Sequence, residues 1–116
     1  MRPLVDVLAP LIAQHCNADR DSLPMIRQRL YDTLKRGTYR VRFDEQERLI
    51  GYCDYDCSYD GIVHVRKMIA LRPHILRSLV RELKTTVPWT RMYLYRAKYQ
   101  QWRHHAKPRS VRHAVV

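Results

Sequence analysis

The chain has 116 residues, 46% of them hydrophobic and 28% charged, and its 22 Lys and Arg against 11 Asp and Glu give a formal net charge of +11. Domains typically run to about 100–200 residues, so the length holds one domain and excludes an enzyme with a separate cofactor module, while the apolar content excludes wholesale disorder. No apolar run approaches the ~18 residues that cross a bilayer. The opening MRPLVDVLAPLIAQHC sets Asp6 inside its apolar stretch and lacks a small-residue cleavage site, so no secretory signal is expected. The sparse set Cys16, Cys53 and Cys57 predicts a reducing compartment.

Leu4, Val5, Leu8, Leu11 and Ile12 recur at helical spacing, with Pro10 either kinking that helix or marking a late start to it. Asp21-Ser22-Leu23-Pro24 offers a capping side chain with Pro in the first turn; Met25, Ile26, Leu30 and Leu34 share one face, and Gly37 is the stop. From Thr38 the period becomes two. Tyr39, Val41 and Phe43 alternate with Arg40 and Arg42 as a half-buried strand, Asp44 to Glu47 makes a turn, and Arg48 to Asp54 is the returning strand. After a second turn from Asp56 to Gly61, Ile62, Val63, Val65, Met68 and Ile69 carry apolar residues on both faces, the pattern of a central strand. Arg72-Pro73 opens the clearest helix: Ile75, Leu76, Leu79, Val80 and Leu83 make its buried stripe, Arg77, Arg81 and Lys84 fall at i, i+4 and i+7, and Pro88 ends it. Met92 to Tyr95 reads as a fourth strand and Ala97 to His105 as a short helix. The order helix, helix, strand, strand, strand, helix, strand, helix predicts an α/β or α+β sandwich with helices covering the sheet. It spans residues 1–106, and a basic tail occupies 107–116.

Charge is distributed unevenly along this order. Residues 1–60 hold 9 basic and 10 acidic side chains, whereas 61–116 hold 13 basic and one acidic, Glu82. Seventeen of the cations are Arg, whose guanidinium fork binds carboxylates and phosphates bidentately. An anionic partner for the second half is therefore expected, against the plainer reading of a cationic surface with no dedicated ligand.

The opening MRPLVDV, the hairpin RVRFDEQERLIGYCDYD with its Ile50-Gly51, and a central strand feeding an Arg-Pro helix start resemble the GNAT superfamily of acyltransferases over about residues 1–105. The resemblance implies a GNAT-like α+β fold, with a mainly antiparallel central sheet flanked by helices. It also implies a cofactor segment at Arg72-Pro73-His74-Ile75-Leu76-Arg77, where the family carries Arg/Gln-x-x-Gly-x-Gly/Ala and backbone amides meet the pyrophosphate of coenzyme A. Ile75 and Arg77 stand where small residues are expected, and their bulk should impede that approach. Arg72, His74 and Arg77 at a helix N-terminus remain an anion site. Toxin-activating lysine acyltransferases are similar to this fold, lack the glycines and take acyl groups from an acidic carrier protein. Small proteins of tailed-phage gene clusters also look like this fold, some as virion components.

Among residues able to carry chemistry, His64 lies mid-strand beside the implied cleft with the pKa range of a general base; the alternative is a packed or exposed histidine. Tyr99 falls near where the family places a tyrosine general acid, but Tyr95, Tyr99 and Trp102 at i, i+4 and i+7 also fit an aromatic stripe anchoring a terminal helix. Cys53 to Asp60 lacks a second cysteine pair or a third ligand for Asp54 and Asp56, so an acidic hairpin tip is expected and no metal. The cations Arg81, Lys84, Arg91, Arg96, Lys98, Arg103, Lys107, Arg109 and Arg112, interleaved with Trp102 and tyrosines, fit either an acidic protein surface or nucleic acid. The expectation is thus a cationic GNAT-like binding protein in the host cytoplasm or virion, touching other virion subunits and no membrane, with no cofactor. The alternative is an acyltransferase using coenzyme A or an acyl carrier, and the third reading a nucleic-acid binder.

Overall fold

The computed structural model describes residues 3–17, 19–96 and 101–102. Its elements are α1 (Leu4–His15), α2 (Leu23–Arg36), β1 (Tyr39–Phe43), β2 (Leu49–Cys57), β3 (Ile62–Ala70), α3 (Ile75–Thr86), β4 (Arg91–Arg96) and β5 (Gln101–Trp102). This is an α+β architecture in which the sheet order matches chain order. The β1–β2 and β2–β3 pairs are antiparallel, β3–β4 is parallel, and two-residue β5 returns antiparallel on β4. A parallel pair needs a crossover, and α3 supplies it.

Local chemistry sets the helix ends. The α2 start is capped by the Ser22 hydroxyl, which accepts from the Met25 amide at 3.4 Å with Pro24 in the first turn, and Gly37 ends it at φ 74°, where a side chain would be strained. α1 begins at Leu4 and runs through Pro10, so the late start is excluded. Asp6 in its first turn meets Arg27 of α2 at 2.6 Å, tying the two helices together.

Each face of the sheet has its own core. Val5, Leu8, Ala9, Ile12, Ile26 and Leu30 of α1 and α2 bury Leu49, Tyr52 and Ile69; on the other face Ile75, Leu79 and Leu83 of α3 bury Cys53, Tyr55, Val63, Val65 and Met92. Strict alternation would send Val63, Val65 and Ile69 to one face. They divide because Asp54 pairs with Lys67 while Tyr55 pairs with Val65, which leaves Arg66 as a bulge and reverses the facing of β3 on either side of it. That bulge explains a central strand apolar on both sides. Gly51 sets the helix-to-sheet distance: a Cβ there would lie 2.4 Å from Ile75 Cγ2, so glycine lets the first turn of α3 sit directly on β2.

Three sequence expectations are corrected. Gln101–Trp102 is a strand, not part of a helix from Ala97 to His105: Tyr95 pairs with Trp102 and Arg96 with Gln101, so the aromatic spacing that fits a helical stripe belongs here to a cross-strand pair. The returning strand extends past Asp54 to Cys57, and the turn shrinks to residues 58–61. Consequently Cys53, Asp54 and Tyr55 are buried inside the sheet and do not form an acidic hairpin tip.

Candidate functional site

The crossover places the N-terminus of α3 beyond the end of β3, and the anion-site residues stand there. The Arg72 carbonyl accepts from the Ile75 amide at 3.1 Å, His74 is the N-cap without a side-chain cap bond, and the helix start leaves further amides pointing outward. Arg72 is not available in full, because its NH2 donates to Asp44 Oδ2 at 3.2 Å. Asp44, in the β1–β2 turn, also accepts from the Arg48 amide and the Gln46 amide at 2.9 Å each. The Arg48 amide leads the interactions holding the Asp44 carboxyl below the usual carboxylate range. Ile75 is turned into the core against Gly51. Its bulk therefore does not obstruct the helix end, and of the two residues expected to impede a phosphate only Arg77, exposed, remains there.

Arg77 and Arg81 are exposed and Lys84 half-buried along the outer side of α3, and none has an acidic partner among the described residues. The one acid of the basic half is engaged elsewhere: Glu82 Oε2 lies 2.6 Å from Arg40 Nε and its Oε1 2.5 Å from Arg42 NH2, on the side of α3 that faces β1. Arg40 NH2 also donates to the Thr86 hydroxyl at 3.0 Å and Arg42 Nε to the Ser78 hydroxyl at 3.0 Å. Ser78, Glu82 and Thr86, at i, i+4 and i+8, are thus a polar row beside the apolar one, and the Arg40 guanidinium rests 5.7 Å from the Tyr55 ring centre. Sequence reasoning missed this cluster. Its signal was a lone acid on a helix opposite a strand with two alternating arginines.

His64 stands in β3 opposite Tyr93 of β4, ring centres 5.3 Å apart and edge-on at 71°. It lies six positions before Ala70, about 20 Å along the strand, so the candidate base and the anion site are at separate ends of β3. Between them the β3–β4 pairing ends. Pairing of β3 with β4 runs only from Ile62↔Arg91 to Val65↔Leu94, although β3 continues to Ala70 and β4 to Arg96. Arg91 is exposed at the start of β4, and Arg96 and Trp102 occupy strand positions. Tyr99, Lys98, Arg103, Lys107, Arg109, Arg112 and the tail lie outside the described residues.

A cavity of about 570 Å³ opens on the opposite face, between the end of α1, the α1–α2 connection, α2 and the Arg66 bulge. None of His64, Arg72, His74 or Arg77 lines it. Its wall includes Asp54, 5% exposed, which accepts from the Tyr52 hydroxyl at 2.6 Å and has Lys67 Nζ at 4.0 Å. Burial raises the Asp54 carboxyl above the usual range, against the lowering pull of Lys67; burial and the Asp54 charge together raise the Tyr52 hydroxyl. Burial also lifts the Cys16 thiol, which lines the cavity, and pushes Cys53 up to about 12, so neither is a ready thiolate. Among the described residues no group of His, Cys, Asp and Glu is arranged to hold a metal, and no helix is long and apolar enough to cross a membrane.

No protein-family model matches the chain, and no curated protein is similar to it.

Proposed function

We propose that this chain is a GNAT-like domain that acts as a binding module for an acidic protein surface, through the outer side of α3. One observation carries the reading: the only acid of residues 61–116 is turned to β1 and held by Arg40 and Arg42, which leaves Arg77, Arg81 and Lys84 unopposed among the described residues. Exposed Leu76 beside them adds apolar contact of the kind protein interfaces use. A phage virion, with other subunits as neighbours, is the setting the sequence resemblance suggests. Calorimetric titration with poly-glutamate tests it. Binding that weakens steeply with salt and is lost in Arg77→Glu with Arg81→Glu supports the reading; binding unchanged in that variant overturns it. Stronger, equally salt-sensitive binding to a single-stranded oligonucleotide would move the partner to nucleic acid.

The parting of β3 from β4 after Val65 and Leu94 favours a second reading, an acyltransferase whose acyl donor, coenzyme A or a carrier, enters the gap. His64 and Tyr99 would be its base and acid. Titration with acetyl coenzyme A separates the two: saturable micromolar binding lost in Arg77→Glu favours the enzyme, and absence of heat excludes that donor.

A further inference from the structure

β1 is the first strand of the sheet, and among the described residues no strand pairs with its outer edge. The Thr38 carbonyl accepts from the Tyr55 amide, so by alternation Arg40 and Arg42 direct their backbone groups at β2 while Tyr39 and Val41 direct theirs outward. An open edge of this kind is a template for a further strand. Here the Tyr39 and Val41 carbonyls are already taken by side chains. Arg40 NH1 donates to the Tyr39 carbonyl at 2.7 Å and Arg42 NH1 to the Val41 carbonyl at 3.0 Å. The same two guanidiniums are gripped from behind by Glu82, with Ser78 and Thr86 fixing their planes.

We propose that Glu82 is the latch of an edge lock: it holds Arg40 and Arg42 over the outward carbonyls of β1 and so prevents a second copy of this chain from adding its own β1 to the sheet. The occupant excluded is a second copy because YRVRF is close to self-complementary. In an antiparallel pair with Val41 on a two-fold axis, Tyr39 meets Phe43 of the other copy, and the Val41 amides and carbonyls bond reciprocally. The same register sets Arg40 against Arg42 of the other copy, a like-charge contact, so the arginines oppose pairing twice. A guanidinium is suited to the task because its planar fork reaches a carbonyl and a carboxylate at once, which an ammonium on a flexible stem does not fix in one geometry. This inference is independent of what the outer side of α3 binds.

The test compares the full-length chain with the Arg40→Thr, Arg42→Thr double variant by sedimentation velocity over a concentration series, with amide exchange read at Tyr39 and Val41. The wild type is expected to remain a monomer with fast exchange at both amides. The double variant is expected to double its mass reversibly, with both amides slowed by about tenfold or more as they enter a ladder. A folded double variant that stays monomeric, or associates without protection at Tyr39 and Val41, overturns the proposal, as does a wild type already paired through β1. If circular dichroism shows the double variant unfolded, the triple variant Arg40→Thr, Arg42→Thr, Glu82→Gln decides: it removes the guanidiniums and their like-charge contact without leaving a carboxylate unpaired. Concentration-dependent association with the same two amides protected supports the latch, and a strict monomer overturns it.

Discussion

Arg40 and Arg42 on β1 and Arg77 and Arg81 on α3 are the same residue type, in pairs spaced for one face of their element, yet the fold treats them oppositely. The first pair is half-buried and holds a carboxylate, two hydroxyls and three backbone carbonyls; the second projects into solvent with no acid opposite it among the described residues. What separates them is the single turn of helix that carries Glu82 toward the sheet. A guanidinium is an architectural residue where an acid meets it and an open site where none does. The contrast extends to the acids, for Glu82 faces two guanidiniums whereas buried Asp54 faces a tyrosine hydroxyl and an ammonium 4.0 Å away.

Glu82→Ala should break the contrast most severely. It leaves two half-buried guanidiniums without their carboxylate and should cost about 2 kcal/mol, less than for a fully buried pair because water reaches the site; urea unfolding reads it, and a loss below about 0.5 kcal/mol would place the cluster among ordinary surface pairs. Gly51→Ala acts on the same cluster through the backbone. Its new Cβ would lie 2.4 Å from Ile75 Cγ2, so α3 must lift from β2, at about 1–2 kcal/mol by the usual range for overpacking, and thermal unfolding should show the drop.

Asp54→Asn sharpens the acid side of the comparison. A carboxyl whose folded pKa is raised binds its proton more tightly when folded, so its contribution to stability is fullest below its unfolded pKa near 4 and declines as pH rises through the folded value. The amide oxygen still accepts from Tyr52, and the variant should lack that decline, gaining on the wild type as pH rises above about 4. Equal pH dependence in the two proteins would count against a buried, destabilised carboxylate. Smallest in stability are Arg77→Ala and Arg81→Ala, each expected within about 0.5 kcal/mol of wild type because neither side chain has an acidic partner to lose among the described residues, while affinity for poly-glutamate falls.

Much of this was legible in the sequence. Ser22, Pro24 and Gly37 mark α2, alternation marks β1, and the 3.6-residue period of Ile75, Leu79 and Leu83 marks α3, because each is a local signal. Gln101 and Trp102 misread because tyrosines and tryptophan at i, i+4 and i+7 satisfy a helix period, while the pairing of Tyr95 with Trp102 is a tertiary choice. The bulge at Arg66 was equally hidden, since a bulge exists only relative to a partner strand. At the site, the basic row of α3 was visible from spacing, but not which acid it lacks: that depends on Glu82 facing β1. The burial of Asp54 came from β2 running three residues further than its turn signals suggested.

The most direct test tracks the arginine side chains themselves, through their Nε–H resonances in a nitrogen-15 labelled chain titrated with poly-glutamate. Arg77 and Arg81 should shift progressively with added polyanion, while Arg40 and Arg42, held by Glu82, should exchange slowly with water and keep their positions. Movement of Arg40 and Arg42 with Arg77 and Arg81 unmoved would contradict the account.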